Sequence, residues 1–270
     1  MNKVSSDPSA RPETSEAVSH PFRKERGMDG APSRVWSNLR DEMRGLKSYF
    51  GHVLCHLQKD LRLEWRSRDS VVGMLFFALL VVIIFTLAFD PTAAASRQIA
   101  GGILWVALLF ASFTALNQSW TREQRNRVLD AQRMAPAPAS AMFLGKALAN
   151  LLFVVAIEVL LAPLFIVFYN LHALGQGWML AVVMPLGTWA LVCNGTFFAA
   201  LGLRTRNREL MLPLILVPIS LPALLGMMQA TTAILTGESD PGIWIRLLVA
   251  YNIAFTTVCL LLFETVLSAE

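Results

Sequence analysis

Six long runs of apolar residues, separated by short polar segments, dominate the chain after residue 70. Each run is close to the ~20 residues that an α-helix needs to cross the hydrocarbon core of a bilayer. The predicted spans are residues 71–89, 99–119, 147–169, 178–201, about 210–234 and 244–267. The pattern predicts an all-α polytopic membrane protein whose six-span transmembrane domain covers residues 71–268.

The residues before the first span follow a helical period of three and four. One face of this predicted helix carries apolar side chains and its flanks are basic, which predicts a cytoplasmic interfacial amphipathic helix over residues 51–70. The apolar stripe is Leu54, Leu57, Leu61 and Trp65. The alternative is a solvated lead-in to the first span. Residues 1–50 are predicted to be a disordered or variable extension that can become helical from about Trp36, since the first 33 residues have almost no large apolar side chains.

The fifth span contains three prolines, Pro213, Pro218 and Pro222. A proline inside a soluble helix costs about 3 kcal/mol, but in a membrane neighbouring helices can satisfy the carbonyls that it frees. The segment is therefore predicted to be a kinked or broken helix. Two half-helices that turn back at the outer face fit the sequence equally well.

Composition and charge narrow the class of protein. The chain is 55% hydrophobic and 16% charged, with a mean hydropathy of +0.52, which is too apolar for a soluble domain of this length. A pI of about 9.2 is compatible with nucleic acid binding, but the basic residues lie in short loops beside the spans, as orientation signals do. Twelve of them fall on one side of the membrane, against only Arg97 and Arg246 on the other. Both termini are therefore predicted to be cytoplasmic, with lipids and not nucleic acid as the partner.

The polar stretch at residues 117–146 joins the second and third spans on the cytoplasmic side. A short helix from about Trp120 to Arg133 places Trp120, Glu123 and Arg127 on one face. The chain has no phosphate-binding GxxxxGK[ST] motif and no HExxH or GxSxG motif, so it is not predicted to be an enzyme. We interpret this stretch as the place where a cytoplasmic partner delivers energy. The alternative is a solvated basic loop that only fixes topology.

Glu158 is an acid near the middle of the third span, where a charge costs a few kcal/mol, so it should face the protein interior. It is a candidate intramembrane polar site, either a gate in a translocation path or a glutamate bonded to a carbonyl or threonine of a neighbouring helix. The cysteines Cys55, Cys193 and Cys259 lack metal-site or disulfide spacing and are predicted to be small buried residues. His172 is the one outer-side histidine and has no near partner as a haem or metal ligand.

The order of these features resembles the CcmB family, the haem exporter permeases of cytochrome c maturation, which are ABC-2-like membrane subunits. The resemblance lies in KDLRLEWRSRD before the first span, IAGGILWVALLFAS in the second, and Gly187-Thr188 in the fourth. In the polar stretch it lies in Trp120, Glu123, Leu129, Asp130, Pro136, Pro138 and Lys146. Arg127 stands where the family has Gly, and residues 1–50 have no counterpart.

The resemblance implies a subunit of an inner-membrane complex that has no haem or ATP site of its own. ATP is hydrolysed on a separate cytoplasmic ABC ATPase, whose cycle drives haem export or the release of the haem-loaded periplasmic chaperone, and haem is a candidate cargo. Further partners are a haem-handling membrane protein, a small membrane peptide, a periplasmic haem chaperone and a second copy of the chain. The implied ATPase-coupling residues are Trp120, Glu123, Arg127, Leu129, Asp130, Pro136 and Lys146. Two alternatives stay open, namely an ABC-2 exporter for a lipid, polysaccharide or drug, and a non-transporting membrane scaffold.

Overall fold

Seven α-helices and one short 3-10 turn make up the described part of a computed structural model, which covers residues 32–66, 68–89, 94–125, 138–169, 177–202 and 208–268. No strand occurs among these residues. The helices are α1 (Pro32–Arg66), α2 (Arg68–Ala88), α3 (Ala94–Arg125), α4 (Ala139–Tyr169), α5 (Leu180–Gly202), α6 (Arg208–Thr236) and α7 (Gly242–Ser268), and the 3-10 turn Gly177–Met179 precedes α5. The chain divides into two compact units, residues 1–44 and 45–270.

The helices α2 to α7 are each long and apolar enough to cross a membrane. The six predicted spans are confirmed. Two of the helices are longer than predicted, at the end of the second span and at the start of the third. The helix α3 continues six residues past the predicted end of its span, to Arg125, and α4 begins at Ala139, eight residues early. Trp120 and Glu123 therefore belong to the same helix as the second span, and not to a separate short helix.

The helices α3 and α5 form the centre of the second unit. The buried shares of their spans are 67% and 61%, against 17% for α2 and 22% for α7. Two glycines of α5 allow the close approach of α3. A Cβ at Gly187 would lie 2.3 Å from the Trp105 ring, and one at Gly195 would lie 2.2 Å from Leu116 Cδ1. A larger residue at either position would force the Trp105 ring or the Leu116 side chain to move.

The fifth span is one continuous helix, α6, with all three prolines inside it. The half-helix alternative is therefore wrong. A proline removes the helical hydrogen bond to the carbonyl four residues earlier, which for Pro222 is that of Pro218. At the adjacent carbonyl, Tyr251 of α7 donates a hydrogen bond to Ile219 O at 2.9 Å and accepts one from Asn194 of α5 at 2.7 Å. Contacts from neighbouring helices thus support α6 where prolines weaken it.

The helix α1 contains residues 32–50 of the predicted extension, which are helical, whereas residues 1–31 lie outside the described residues. In the second unit, α1 turns Val53 and Glu64 inward and leaves Phe50 and Leu54 more than half exposed. Leu57 and Leu61 of the predicted stripe are only partly exposed, and the side chain of Trp65 is outside the described set. The inward face of α1 therefore carries charged residues, and these help to build the site described next.

Candidate coupling site at the ends of α3 and α4

Four charged side chains from three helices meet where α3 ends and α4 begins. Lys146 Nζ of α4 lies 3.2 Å from Glu123 Oε1 of α3 and 3.2 Å from Asp60 Oδ2 of α1. Lys59 of α1 forms ion pairs with the same two carboxylates, at 3.2 Å from Asp60 Oδ1 and with a direct hydrogen bond to Glu123. We call Lys59, Asp60, Glu123 and Lys146 the ion cluster. It contains two positive and two negative groups, so it is neutral as a whole.

The centre of the ion cluster is buried. Glu123 is 3% exposed and Lys146 is 2% exposed, whereas Lys59 reaches the surface. Removing charges from water costs several kcal/mol for each ion, and close pairing with opposite charges offsets that cost. Lys146 gains a further contact, since its Nζ lies 4.8 Å from the centroid of the Trp120 ring. Both central charges therefore depend on their partners to remain buried.

Trp120 connects the ion cluster to the last span. Its side chain is 1% exposed and its ring centroid lies 6.3 Å from that of Phe263 on α7, which also packs on Phe143 of α4 at 5.0 Å. Among the residues that the structure describes, Trp120 Nε1 and Glu123 Oε2 are buried and have no hydrogen-bond partner. Such atoms are uncommon in folded proteins and carry a desolvation cost. They lie on one face of α3, one turn apart.

Gly145 allows α1 to lie directly against α4. A Cβ at this position would be 2.6 Å from His56 Cβ and 2.8 Å from the carbonyl oxygen of Val53. These separations are shorter than real Cβ contacts, and the second one involves the backbone. Gly145 therefore fixes the distance between the helices across which Lys146 reaches Asp60.

The surroundings shift the pKa of two groups on α1. Burial alone would lower the pKa of Lys59, but the carboxylates of Asp60 and Glu123 outweigh it and raise the pKa above its ordinary value. Burial lowers the pKa of His56, and the positive charge of Lys59 lowers it further. The site therefore favours a charged lysine beside a neutral histidine.

The structure brings together three of the residues singled out from the sequence, Trp120, Glu123 and Lys146. Four others, Arg127, Leu129, Asp130 and Pro136, lie outside the described residues. The three that meet are buried inside the chain, so these side chains do not themselves form an exposed face. Lys59 and Asp60 begin the stretch KDLRLEWRSRD that carries the family resemblance, but neither was predicted to belong to this site. Their position on one face of a predicted amphipathic helix could have indicated that they turn inward.

Glu158 lies well away from the ion cluster, twelve residues further along α4 than Lys146, and is 4% exposed. As predicted for an acid at this depth, it faces the interior, where Thr188 of α5 donates a hydrogen bond to its Oε1. Cys193 and Cys259 are buried as predicted, but Cys55 is exposed on α1, which corrects that prediction. Within the described ranges, no cluster of three His, Cys, Asp or Glu side chains could hold a metal ion.

Known proteins similar to this chain share most of its transmembrane domain. The family model described as CcmB protein matches residues 52–268. Heme exporter protein B of Rhodobacter capsulatus is 36% identical over 170 residues, which cover 63% of this chain and 77% of that protein. Heme exporter protein B of Pseudomonas aeruginosa is 28% identical over 202 residues, covering 74% and 90%. That of Bradyrhizobium diazoefficiens is 27% identical over 198 residues, covering 73% and 88%. The chain belongs to the CcmB protein family.

Proposed function

We propose that this protein is the permease subunit of a haem exporter that acts in cytochrome c maturation in the bacterial inner membrane. Family membership and the printed name of the relatives, heme exporter protein B, support this role. In this proposal the chain hydrolyses no ATP. A separate cytoplasmic ABC ATPase does so, and haem is the cargo of the complex and not a resident cofactor of this subunit.

The observation that carries the proposal is the buried pair between Glu123 and Lys146. These two residues flank the segment that joins α3 to α4, and α3 is the most buried span of the fold. A partner that moves this segment would pull on both helix ends together, because separating Glu123 from Lys146 leaves each of these buried charges with one partner fewer. Packed interfaces of this kind tend to switch between discrete arrangements and do not deform gradually.

The ion cluster extends the connection to α1 and α7. Lys59 and Asp60 attach α1 to both helix ends, and Trp120 contacts Phe263 of α7. In our proposal, Arg127, Leu129, Asp130 and Pro136 contact the ATPase, while Trp120, Glu123 and Lys146 position that contact segment from behind. This assigns the buried residues a positioning role in place of direct docking.

The orientation and the other partners belong to the same proposal. Both termini and the ion cluster lie on the cytoplasmic side, as the distribution of basic residues predicts. The exposed Phe50 and Leu54 of α1 lie on lipid headgroups. Because ABC ATPases act in pairs, two copies of this chain form the transmembrane part, together with a haem-handling membrane protein and a small membrane peptide. A periplasmic haem chaperone receives the product.

Copurification from native membranes tests the proposal against its two alternatives. The tagged full chain should bring down an ABC ATPase together with haem-handling proteins, and its deletion should abolish c-type cytochromes. An ATPase without haem-handling partners, and cytochromes that persist after deletion, would favour an exporter for another cargo. Copurification of no ATPase would favour a membrane scaffold and would contradict the proposal.

A further inference from the structure

A cavity of about 230 Å³ lies beside Glu158, at the end of the helix bundle opposite the ion cluster. Its inner wall is formed by Leu104 of α3, Phe165 of α4, and Thr231 and Leu235 of α6. Glu158 lines its floor, but its Oε1 is occupied by the hydrogen bond from Thr188. Almost every other lining atom is carbon. An apolar cavity of about 150 Å³ already excludes water and takes hydrocarbon ligands, and this one is larger.

The cavity opens between α4 and α5 toward the outside of the bundle. Ala162 and Ile166 form one edge of the opening and Leu180 and Met184 form the other. Ile166 is 52% exposed, and the other three are partly exposed. All four lie within segments long and apolar enough to span a membrane. The surface around the opening therefore faces lipid hydrocarbon and not water.

The sequence contains a physical reason for this opening. Asn150 of α4 donates a hydrogen bond to Thr196 of α5 at 3.2 Å, and Thr188 of α5 donates one to Glu158 of α4. These two buried hydrogen bonds hold α4 against α5. Beyond these bonds, α4 contains Pro163 and α5 contains Pro185. Each proline removes a helical hydrogen bond and favours a kink. The two helices are thus joined by hydrogen bonds on the side of the cavity nearer the ion cluster, and each contains a proline next to the cavity.

The part of α4 that lines the cavity, from Glu158 to Ile166, lies within the last half of a bilayer's thickness before the helix ends. Glu158 lies eleven residues before Tyr169, the last residue of α4, which is ~16 Å at 1.5 Å per residue. Half of a typical hydrocarbon core is ~15 Å. The cavity therefore runs from near the membrane centre toward the interface at that end. Its lining would lose its dispersion contacts if nothing filled it.

We propose that this cavity is a binding site for one acyl chain of a membrane lipid, which enters between α4 and α5 and ends near Glu158 and Thr188. The chain fills the space next to the two prolines, and its headgroup lies at the interface near the ends of these helices. In this arrangement Glu158 joins α4 to α5 and forms the floor of a lipid site, with no contact to cargo. The proposal does not depend on the cargo or on the ATPase.

Photolabelling with a lipid tests the proposal directly. The full chain is placed in nanodiscs that contain a phosphatidylethanolamine with a diazirine near the middle of one acyl chain, and labelled peptides are mapped by mass spectrometry. We expect stronger labelling at Ile166 and Met184 than at Leu87, which is 83% exposed on α2 and reports random contact with lipid. Labelling at the two sites no stronger than at Leu87 would overturn the proposal.

Filling the cavity provides the matched comparison. Ala162→Phe places a ring in the opening, whereas Ala156→Phe adds the same ring to an exposed position of the same helix. Labelling at Met184 should fall to the level of Leu87 in the first variant and stay unchanged in the second. If A162F retains the labelling at Met184, the chain does not bind in the cavity.

A second variant applies if Ala162→Phe fails to fold, as judged by tryptophan fluorescence during heating. The double variant Pro163→Ala, Pro185→Ala restores two helical hydrogen bonds and should let α4 and α5 close, so that labelling at Met184 falls. Pro218→Ala in α6, away from the opening, is its control. If labelling at Met184 does not fall in the double variant, the two prolines do not open the cavity and an acyl chain does not bind there.

Discussion

Glu123 of α3 and Lys146 of α4 form a buried ion pair, with 3.2 Å between Lys146 Nζ and Glu123 Oε1. They are 23 positions apart in the sequence, on either side of the polar segment between the second and third spans. The pair closes the base of that segment, and Lys59 and Asp60 attach the same base to α1. The pair and these two residues thus join the end of α3, the start of α4 and α1.

Removing one member of the pair should destabilise the protein more than removing both. Glu123→Gln leaves Lys59 and Lys146 facing Asp60 alone, and Lys146→Met leaves two carboxylates facing Lys59. Each single variant should lose about 3 kcal/mol, the usual cost of an unpaired buried charge. The double variant retains the Lys59–Asp60 pair and is neutral, so its loss should be well below the sum. Thermal unfolding in detergent measures all three.

Glu238→Gln is the control for this series, because Glu238 is exposed between α6 and α7. It should change the melting temperature very little, as surface substitutions usually do. Strictly additive losses in the double variant would show that Glu123 and Lys146 do not interact in the folded protein.

Gly145→Leu should separate α1 from α4. Its Cβ alone would lie 2.8 Å from the carbonyl oxygen of Val53, and a larger side chain would push the helices apart. The variant should lose thermal stability, and a cysteine pair placed across α1 and α4 should crosslink less. Gly102→Ala is the matched control, because a Cβ there meets nothing within 4 Å and alanine favours a helix by up to about 1 kcal/mol. Equal stability of both variants would contradict the close approach.

Acid should weaken the site through His56. Its pKa in the folded protein is lowered from 6.5 by burial and by Lys59, so the folded state resists protonation. Stability is then fully present above pH 6.5 and falls as the pH drops below that value, where the unfolded state binds the proton more readily. Four charged groups act on the pKa of His56: Lys59 and Lys146 lower it, and Asp60 and Glu123 raise it. Melting temperature should fall less on acidification in His56→Gln than in the unaltered chain; an identical fall would contradict this assignment.

Glu158 should tolerate glutamine better than leucine. Glutamine retains an oxygen that accepts the hydrogen bond from Thr188, whereas leucine removes it, at a cost of about 1 kcal/mol for a hydrogen bond between membrane helices. Thr188→Val should cost a similar amount, and combining it with Glu158→Leu should add little. If both Glu158 variants support full cytochrome c formation, the role of Glu158 as a polar site in a translocation path is wrong. A greater loss of activity than of stability in Glu158→Leu would favour that role.

Much of the fold could be predicted because the bilayer imposes length and composition on each span. The ends were harder to predict, since α3 and α4 continue beyond the hydrophobic runs as helices that are stabilised by packing and not by apolar sequence. Trp120 was assigned to a separate short helix after the second span because it borders charges, although it continues α3 and is fully buried against Phe263 and Lys146. Whether α6 is continuous depended on tertiary contacts such as that of Tyr251.

The site could be predicted only in part, for a similar reason. Resemblance to a family selected Trp120, Glu123 and Lys146. Lys146 lies 23 positions from Glu123 and 26 from Trp120, so helical periodicity cannot predict that these side chains meet. Asp60 and Lys146 are 86 positions apart. The charges of α1 looked like flanks of a lipid-facing helix, and only packing reveals that some of them turn inward. Glu158 was expected to face the interior on energetic grounds, and it does.

The role of the ion cluster in coupling is measured by the yield of c-type cytochrome per ATP hydrolysed by the partner ATPase in a complex that contains the Glu123→Gln, Lys146→Met double variant. This variant should fold and copurify with an ATPase that still hydrolyses ATP, because the remaining Lys59 and Asp60 charges of the ion cluster are balanced. It has nevertheless lost the buried connection between α3 and α4, so the yield of c-type cytochrome per ATP should fall well below that of the unaltered chain. A double variant that assembles normally and keeps the full yield per ATP would contradict the claim that the ion cluster transmits motion to the membrane spans.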